Sequence, residues 1–263
     1  MCTVVILYRP GHDWPLIVGA NRDEMRTRPW EAPGRHWDDR PHVTAGRDSL
    51  AGGTWLGMND DRLVAGILNR PNSLGPAPGK RSRGELPLDA LDHAEARVAA
   101  EAMATLDPSA YRSFNMVIGD AAGAYYLVND EISETIQLQA IPAGLSMVTA
   151  HDLNDTDSDR IGYHLPRFRA APAPDPENND WFAWETLLAD RSRAGDADWS
   201  GAMAIAPEDF ESEPGSEEGA KGVDFGTVCS SLIALPAPGT DKVPIWRFAP
   251  GMPGETPYRD VML

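Results

Sequence analysis

Cysteine is scarce: Cys2 and Cys229 are the only two in 263 residues. Two thiols cannot staple a chain of this length. The opening MCTVVILYRPGHDWP has neither the basic start nor the long apolar core of a secretory leader. A reducing, cytoplasmic setting with both thiols free is therefore the expectation. Long apolar runs are missing too. No stretch of about 18 apolar residues occurs, which argues against a membrane-inserted segment. Positive charge is in short supply, with 23 Lys and Arg against 40 Asp and Glu, a net charge of −17. Such a surface repels phosphates and anionic headgroups, so no nucleic acid partner and no membrane insertion are expected. The six histidines show no zinc spacing. There is no G-x-S-x-G elbow. GPAPGKR fails as a phosphate loop, because Leu74 stands where its first glycine belongs and Arg81 where Ser or Thr does. DTDSD (155–159) fails as a calcium loop, with Arg160 in place of the turn glycine and Pro166 in place of the closing Glu.

What is present is a globular composition. Hydrophobic residues make up 42% of the chain, and a chain of this size buries roughly 70–75% of its unfolded surface. CTVVILY (2–8) and PLIVGAN (15–21) read as a strand hairpin across the turn GHDW. TWLGMN, RLVAGILN, FNMVIGD, GAYYLVND, ISETIQLQAI, GLSMVTAH, GTVCSSLIAL and VPIWRFA are further strands. Residues 85–106 predict one helix, with Leu88, Leu91, Ala94, Val98, Ala102 and Leu106 as its apolar stripe. Helical patterns recur at 157–170 and 181–190. The segment 207–224 is acidic and glycine-rich, and reads as a mobile loop placed to act as a lid. Strands, helix, strands, helices, strands in that order give an α+β fold of antiparallel sheet with helices outside. No linker divides residues 1–263, so a single domain is expected.

The chemistry concentrates at two places. After PLIV the chain meets GANRDE, Gly19 to Glu24, four hydrogen-bonding side chains in a row. Such a run suits the end of a strand that lines a site. Cys2 lies one place from the start of the chain. Removal of Met1 leaves it as first residue, with an α-amine of pKa near 8 beside its thiol. A neutral amine can take the thiol proton, so one residue carries nucleophile and base. In an antiparallel hairpin the end of the second strand returns beside the start of the first, which brings Asn21–Glu24 around Cys2. Arg22 and the amine are then expected to lower the thiol pKa, with Cys229 slow to react in its apolar strand.

MC at the start, GANRDE, GGTWLG (52–57), RSRGEL (81–86) and FNMVIGD (114–120) follow one another in the pattern of the NRDE family, also called the transport and Golgi organisation 2 family. DFGT (224–227) extends the resemblance toward the closing strands. That family in turn resembles the N-terminal nucleophile hydrolases of the choloylglycine hydrolase and penicillin V acylase type. The resemblance implies an αββα sandwich, two antiparallel sheets between helix layers. It implies Cys2 as nucleophile, Asp23 as the carboxylate near its amine, and Asn69 of LNRP as an oxyanion donor. Asn21 and Glu24 of the NRDE run, Trp55 of GGTWLG and Asn115 of FNMVIGD become candidate ligand-binding residues.

Three departures stand out. Ala20 occupies the place of an Arg in those hydrolases, leaving Arg22 to supply the cation. Ala150 falls where a second oxyanion Asn belongs, with His151 next to it as candidate substitute. Val228 stands where many family members carry an Arg after GT. The resemblance implies either a cysteine amidohydrolase for a small acyl or amide substrate, or a non-catalytic trafficking protein that binds haem, acyl-CoA or a lipid. No cofactor is required by the first. Haem is a ligand in the second, although no Cys-Pro or C-x-x-C-H motif is present.

Overall fold

A computed structural model describes residues 2–211 and 224–263. The strand β1 (Thr3–Tyr8) pairs antiparallel with β2 (Leu16–Met25). Both are near-continuous apolar runs because both faces are covered. Val4, Ile6, Leu16, Val18 and Ala20 face a second sheet. Val5, Leu7 and Ile17 face the helices α3 (Asp159–Ala170) and α4 (Phe182–Leu188), against Ile161, Phe168 and Trp184. Gly19 lets α4 come close, since a Cβ there would lie 3.1 Å from the Trp184 ring.

The second sheet begins with β3 (Trp30–Gly34), β4 (Val43–Asp48), β5 (Leu56–Asn59) and β6 (Val64–Asn69). It continues through β7 (Phe114–Gly119), β8 (Ala124–Asn129) and β9 (Gln137–Ala140), each antiparallel to the last. Its outer face, with Ala45, Ala65, Met116 and Ile118, packs on α1 (Leu86–Leu91) and α2 (Ala96–Ala104) through Leu88, Leu91, Ala99 and Met103. The first sheet is completed by β10 (Gly144–Val148), β11 (Phe225–Leu235), β12 (Ile245–Ala249) and β13 (Arg259–Asp260), in the order β10-β1-β2-β11-β12-β13. The short α5 (Glu208–Glu211) precedes the undescribed residues. Helices, sheet, sheet and helices are thus stacked in four layers, the αββα arrangement. No helix among the described residues is long and apolar enough to cross a membrane.

Four expectations need correction or comment. The single helix over 85–106 is two. The Asn59 amide donates to the Leu91 and His93 carbonyls at 2.8 and 2.7 Å, and the Asp120 carboxylate accepts from the Ala96 amide at 2.8 Å. Those bonds end one helix and start another, and they rotate the apolar face. Ala96, Ala99, Ala100 and Met103 go inward, while Ala94 and Val98 are exposed. The strands β3 and β4 went unread, because WEAPG carries a charge and a proline that only an edge strand tolerates. The strand β2 does not end at Asn21 but runs through the charged run to Met25. Of the acidic segment expected as a lid, residues 212–223 lie outside the described residues.

Candidate functional site around Cys2

The site follows from unequal strand lengths. Pairing of β1 with β2 stops at Thr3–Asn21, but β2 continues and keeps pairing with β11 on its other flank. Asn21 to Glu24 therefore run past the end of β1, where Cys2 sits. Side chains alternate along them. Asn21 and Asp23 face the helix layer. Arg22 faces the other sheet, as Val4 and Ala20 do.

On the helix side, Asp23 is fully enclosed. One carboxylate oxygen accepts from the Thr227 hydroxyl at 2.7 Å, the other from Arg160 of α3 at 3.0 Å. The same Arg160 nitrogen donates to Thr3 Oγ1 at 2.7 Å, and Arg160 Nε donates to the Ser200 carbonyl. The Asn21 amide donates to the Leu188 and Met203 carbonyls and accepts from the Ser230 hydroxyl. These two polar side chains fasten β2 to β11, α3 and the segment after α4.

On the inter-sheet side, the half-buried Cys2 thiol donates to the Asp23 main-chain oxygen at 3.7 Å. Cys2 opens on a cavity of about 20 Å3 bordered by Val4, Arg22, Trp55, Leu68 and Cys229. That is room for about one water-sized group. Arg22 is 5% exposed and reaches Asp48 of β4 at 3.4 Å and Glu24 at 3.6 Å. Its guanidinium lies over the Trp55 ring, 4.4 Å from the centroid. Trp55 can lie there because residue 46 is glycine. A Cβ at Gly46 would sit 2.3 Å from the Trp55 ring. The motif GGTWLG meets RSRGEL in the same region: Gly53 packs directly on the Gly84 main chain, and Thr54 N–H donates to the Gly84 carbonyl at 2.8 Å. Cys229 reaches the cavity through an irregularity in β11, where the register with β2 shifts between Thr227 and Cys229. The two cysteines flank β2 from opposite sides. Two strand spacings, about 9–10 Å, separate them, beyond the span of a disulfide.

A family model described as transport and Golgi organisation 2 matches residues 1–170. The chain belongs to that family. Among solved structures, its fold is similar to that of a Caenorhabditis elegans N-acylethanolamine-hydrolyzing acid amidase ortholog. The match has 12% identity and a TM-score of 0.53, covering 90% of this chain and 94% of that one. A variant of the conjugated bile acid hydrolase from Clostridium perfringens is similar at 13% identity and a TM-score of 0.53, covering 98% and 92%. No curated protein matches the chain by sequence. At these identities the likeness shows the fold, which is that of the N-terminal nucleophile hydrolases.

In this transport and Golgi organisation 2 protein, Cys2, Asn21, Arg22 and Trp55 border the cavity. The Asp23 carboxylate is bound on the helix side of the sheet; its main-chain oxygen accepts from the Cys2 thiol, and its charge raises the thiol pKa. Glu24 stays beside Arg22 and Arg28 at the rim. Asn69 is the last residue of β6, half-buried and paired with Phe114. Its neighbours Ile67 and Leu68 both border the cavity, while Asn69 itself is not among the bordering residues. Asn115 is buried and donates to the Thr149 and His151 carbonyls, so it holds the turn after β10. Continuing the β1–β10 register past Val4–Val148 sets Ala150 opposite Cys2. The partly exposed His151 ring lies 3.9 Å from Asp155 and does not border the cavity. Val228 is packed with Cys229 and Phe248 in an apolar cluster.

Sequence reasoning missed Arg160, Thr227, Asp48 and Cys229. Thr227 stands in the quoted DFGT, and Arg160 stands at the position that disqualified the calcium loop. Both signals were there without a role attached.

The expected low thiol pKa does not hold while Met1 is in place. Burial pushes the Cys2 thiol above its ordinary value and the Asp23 charge adds to this; the charge of the chain's amino terminus, the Asp23 main-chain hydrogen bond and, least of these, the Arg22 charge offset it only in part. Burial pushes Cys229 up as well. In a chain that keeps Met1, iodoacetamide alkylation of Cys2 is therefore expected to keep rising beyond pH 9, with Cys229 slower throughout. Peptide mapping of the labelled protein across pH 6–10 measures both. A plateau below pH 8, or a faster Cys229, would contradict the burial argument.

Proposed function

We propose that this protein is a cysteine hydrolase that cleaves a small amide or acyl bond. The observation that carries the reading is the placement of Cys2. It sits at the head of the first strand of an N-terminal nucleophile hydrolase fold and opens on a cavity shared with a buried guanidinium. Both similar structures are named as hydrolases, one of N-acylethanolamines and one of conjugated bile acids. Because burial keeps the thiol protonated near neutrality, the reaction needs a local base. Removal of Met1 supplies it as the Cys2 α-amine. The amine takes the thiol proton, and sulfur attacks the acyl carbon while the carbonyl electron pair moves to oxygen. The C–S bond is then complete. Collapse breaks the bond to the leaving nitrogen or sulfur, which receives the proton from the ammonium. Water next adds to the thioester, giving its proton to the amine, and releases the acid and the free thiol. Asp23, held by Arg160 and Thr227, fixes the strand from which Cys2 is presented.

The alternative of a haem or lipid carrier draws on the family resemblance alone. The Cys2 cavity, about 20 Å3, admits a reacting group and not a porphyrin, while clefts of about 330 and 420 Å3 lie elsewhere on the protein.

Intact mass and a panel of acyl amides and thioesters test the proposal together. The expected result is loss of Met1, substrate hydrolysis, and a trapped acyl adduct on Cys2. Cys2→Ala is expected to lower turnover by at least about 1000-fold, in the range seen when a hydrolase loses its nucleophile. Retained Met1, or turnover that survives Cys2→Ala, would overturn it.

A further inference from the structure

Arg22 carries a feature that thiol tuning does not use. Its Nη2 faces Asp48 and Glu24, but Nη1 is buried and has no hydrogen-bond partner among the described residues. An unmet buried donor costs about 1–3 kcal/mol, more on a charged group. The group is also held still. Trp55 stacks on the guanidinium plane, with no space at Gly46 for any larger residue behind the ring. Arg28 shares Asp48 and Glu24 with Arg22 at 2.6 and 3.7 Å. Two cations thus meet two anions, and the local charge balances. What remains at the cavity is a fixed, directional N–H rather than a broad positive field. That suits an oxygen on which charge develops better than a free carboxylate. Val4, Ala20, Leu56, Ile67 and Leu68 make the remaining walls mostly apolar, with Thr3, Asn21 and Ser231 the polar residues beside them.

We propose that Arg22 Nη1 is the oxyanion donor of the Cys2 site, and that the site selects acyl groups of one or two carbons. The proposal rests on the cysteine hydrolase reading and deepens it. As sulfur bonds to the acyl carbon, the carbonyl π pair localises on oxygen and accepts the Nη1 proton as a hydrogen bond. Ala150, across from Cys2, offers no such donor, and Arg22 fills the role from the other flank.

The test uses the full chain with Met1 confirmed absent by mass. Cys2 is acylated with acetyl, butyryl and octanoyl thioesters of N-acetylcysteamine, and alkylated in parallel with iodoacetamide, a displacement that develops no oxyanion. Arg22→Lys and Arg22→Gln are expected to slow acetylation about 100- to 1000-fold, the usual effect of losing one such donor. Alkylation is expected to change less than about 10-fold, since Lys keeps the charge and its loss in the Gln variant only raises the thiol pKa. In the wild type, acetyl transfer is expected to exceed octanoyl transfer by about 100-fold. Acetylation unaffected by either variant overturns the donor role. A parallel fall of acylation and alkylation also overturns it, because Arg22 would then act on the thiol. Octanoyl transfer as fast as acetyl overturns the size selection. The wild-type acetyl adduct gives a check that needs no substitution: its carbonyl stretch should lie below that of a free acetyl thioester, and an unshifted band overturns the donor. If Cys2 alkylates but no thioester acylates it, the hydrolase reading falls first and this proposal with it.

Discussion

Asp23→Ala is expected to destabilise the fold by about 3–5 kcal/mol, the range for removing one partner of a buried ion pair. The Asp23 and Arg160 side chains are 0% and 1% exposed. Without the carboxylate, Arg160 keeps its bond to Thr3 but loses the charge at 3.0 Å, and the Thr227 hydroxyl loses its acceptor at 2.7 Å. Asp23→Asn should be milder, because the amide oxygen still accepts from Thr227. Chemical denaturation would read the loss directly. In a melt it corresponds to roughly 6–20 °C for a chain of this size. A change below about 1 kcal/mol would mean that Asp23 does not hold β2, β11 and α3 together, and that its place in the NRDE run belongs to chemistry alone.

The second large effect concerns acid. His164 lies on α3 one turn after Arg160, is wholly buried, and bonds the Gly201 carbonyl at 3.1 Å. Burial lowers its pKa from 6.5 to about 4. Asp190 opposes that shift, while Arg167 and Arg160 add to it. In the unfolded chain the same imidazole protonates near 6.5. The unfolded state therefore binds more protons as pH falls through 6.5, and stability drops until the folded state protonates near pH 4. The loss across that window is about 3 kcal/mol. It is absent above pH 6.5. Denaturation at pH 7, 6, 5 and 4.5 measures it, and His164→Gln should flatten the slope while keeping a donor for Gly201. An equal slope in that variant would assign the acid loss to other groups, with Asp48 the nearest to the site. Its carboxyl is held below the usual range by Arg28 and the Ala51 amide against burial, so its contribution is lost only at lower pH.

Much of this was legible in the residues. CTVVILY and PLIVGAN announced the first hairpin, and GANRDE announced a charged run beside Cys2, though not that β2 continues through it. What stayed hidden depends on contacts far apart in sequence. Nothing local pairs Asp23 with Arg160 or Thr227. Nothing in GTVCSS signals the register shift that turns Cys229 toward the cavity. The thiol pKa was misjudged for a related reason: neighbouring charges can be read from a hairpin, but desolvation depends on the opposite sheet. Helix 85–106 looked continuous because Asn59 and Asp120, which interrupt it, lie outside the periodic stretch. Asn69 and His151 carried roles by alignment, but neither is among the residues that border the cavity.

The pairing of β2 with both β1 and β11 also sets a timetable. Cys2 and Asp23 leave the ribosome well before the strand that encloses them. Thr227 follows 204 positions after Asp23. At about 5–20 residues per second, translation leaves roughly 10–40 s between them. Through that interval β2 lacks its β11 neighbour, and the N-terminus stands beside an unfinished sheet. An aminopeptidase acting on nascent chains thus meets Met1 before the last wall arrives. If Met1 is removed as proposed, its removal comes before the sheet closes around Cys2.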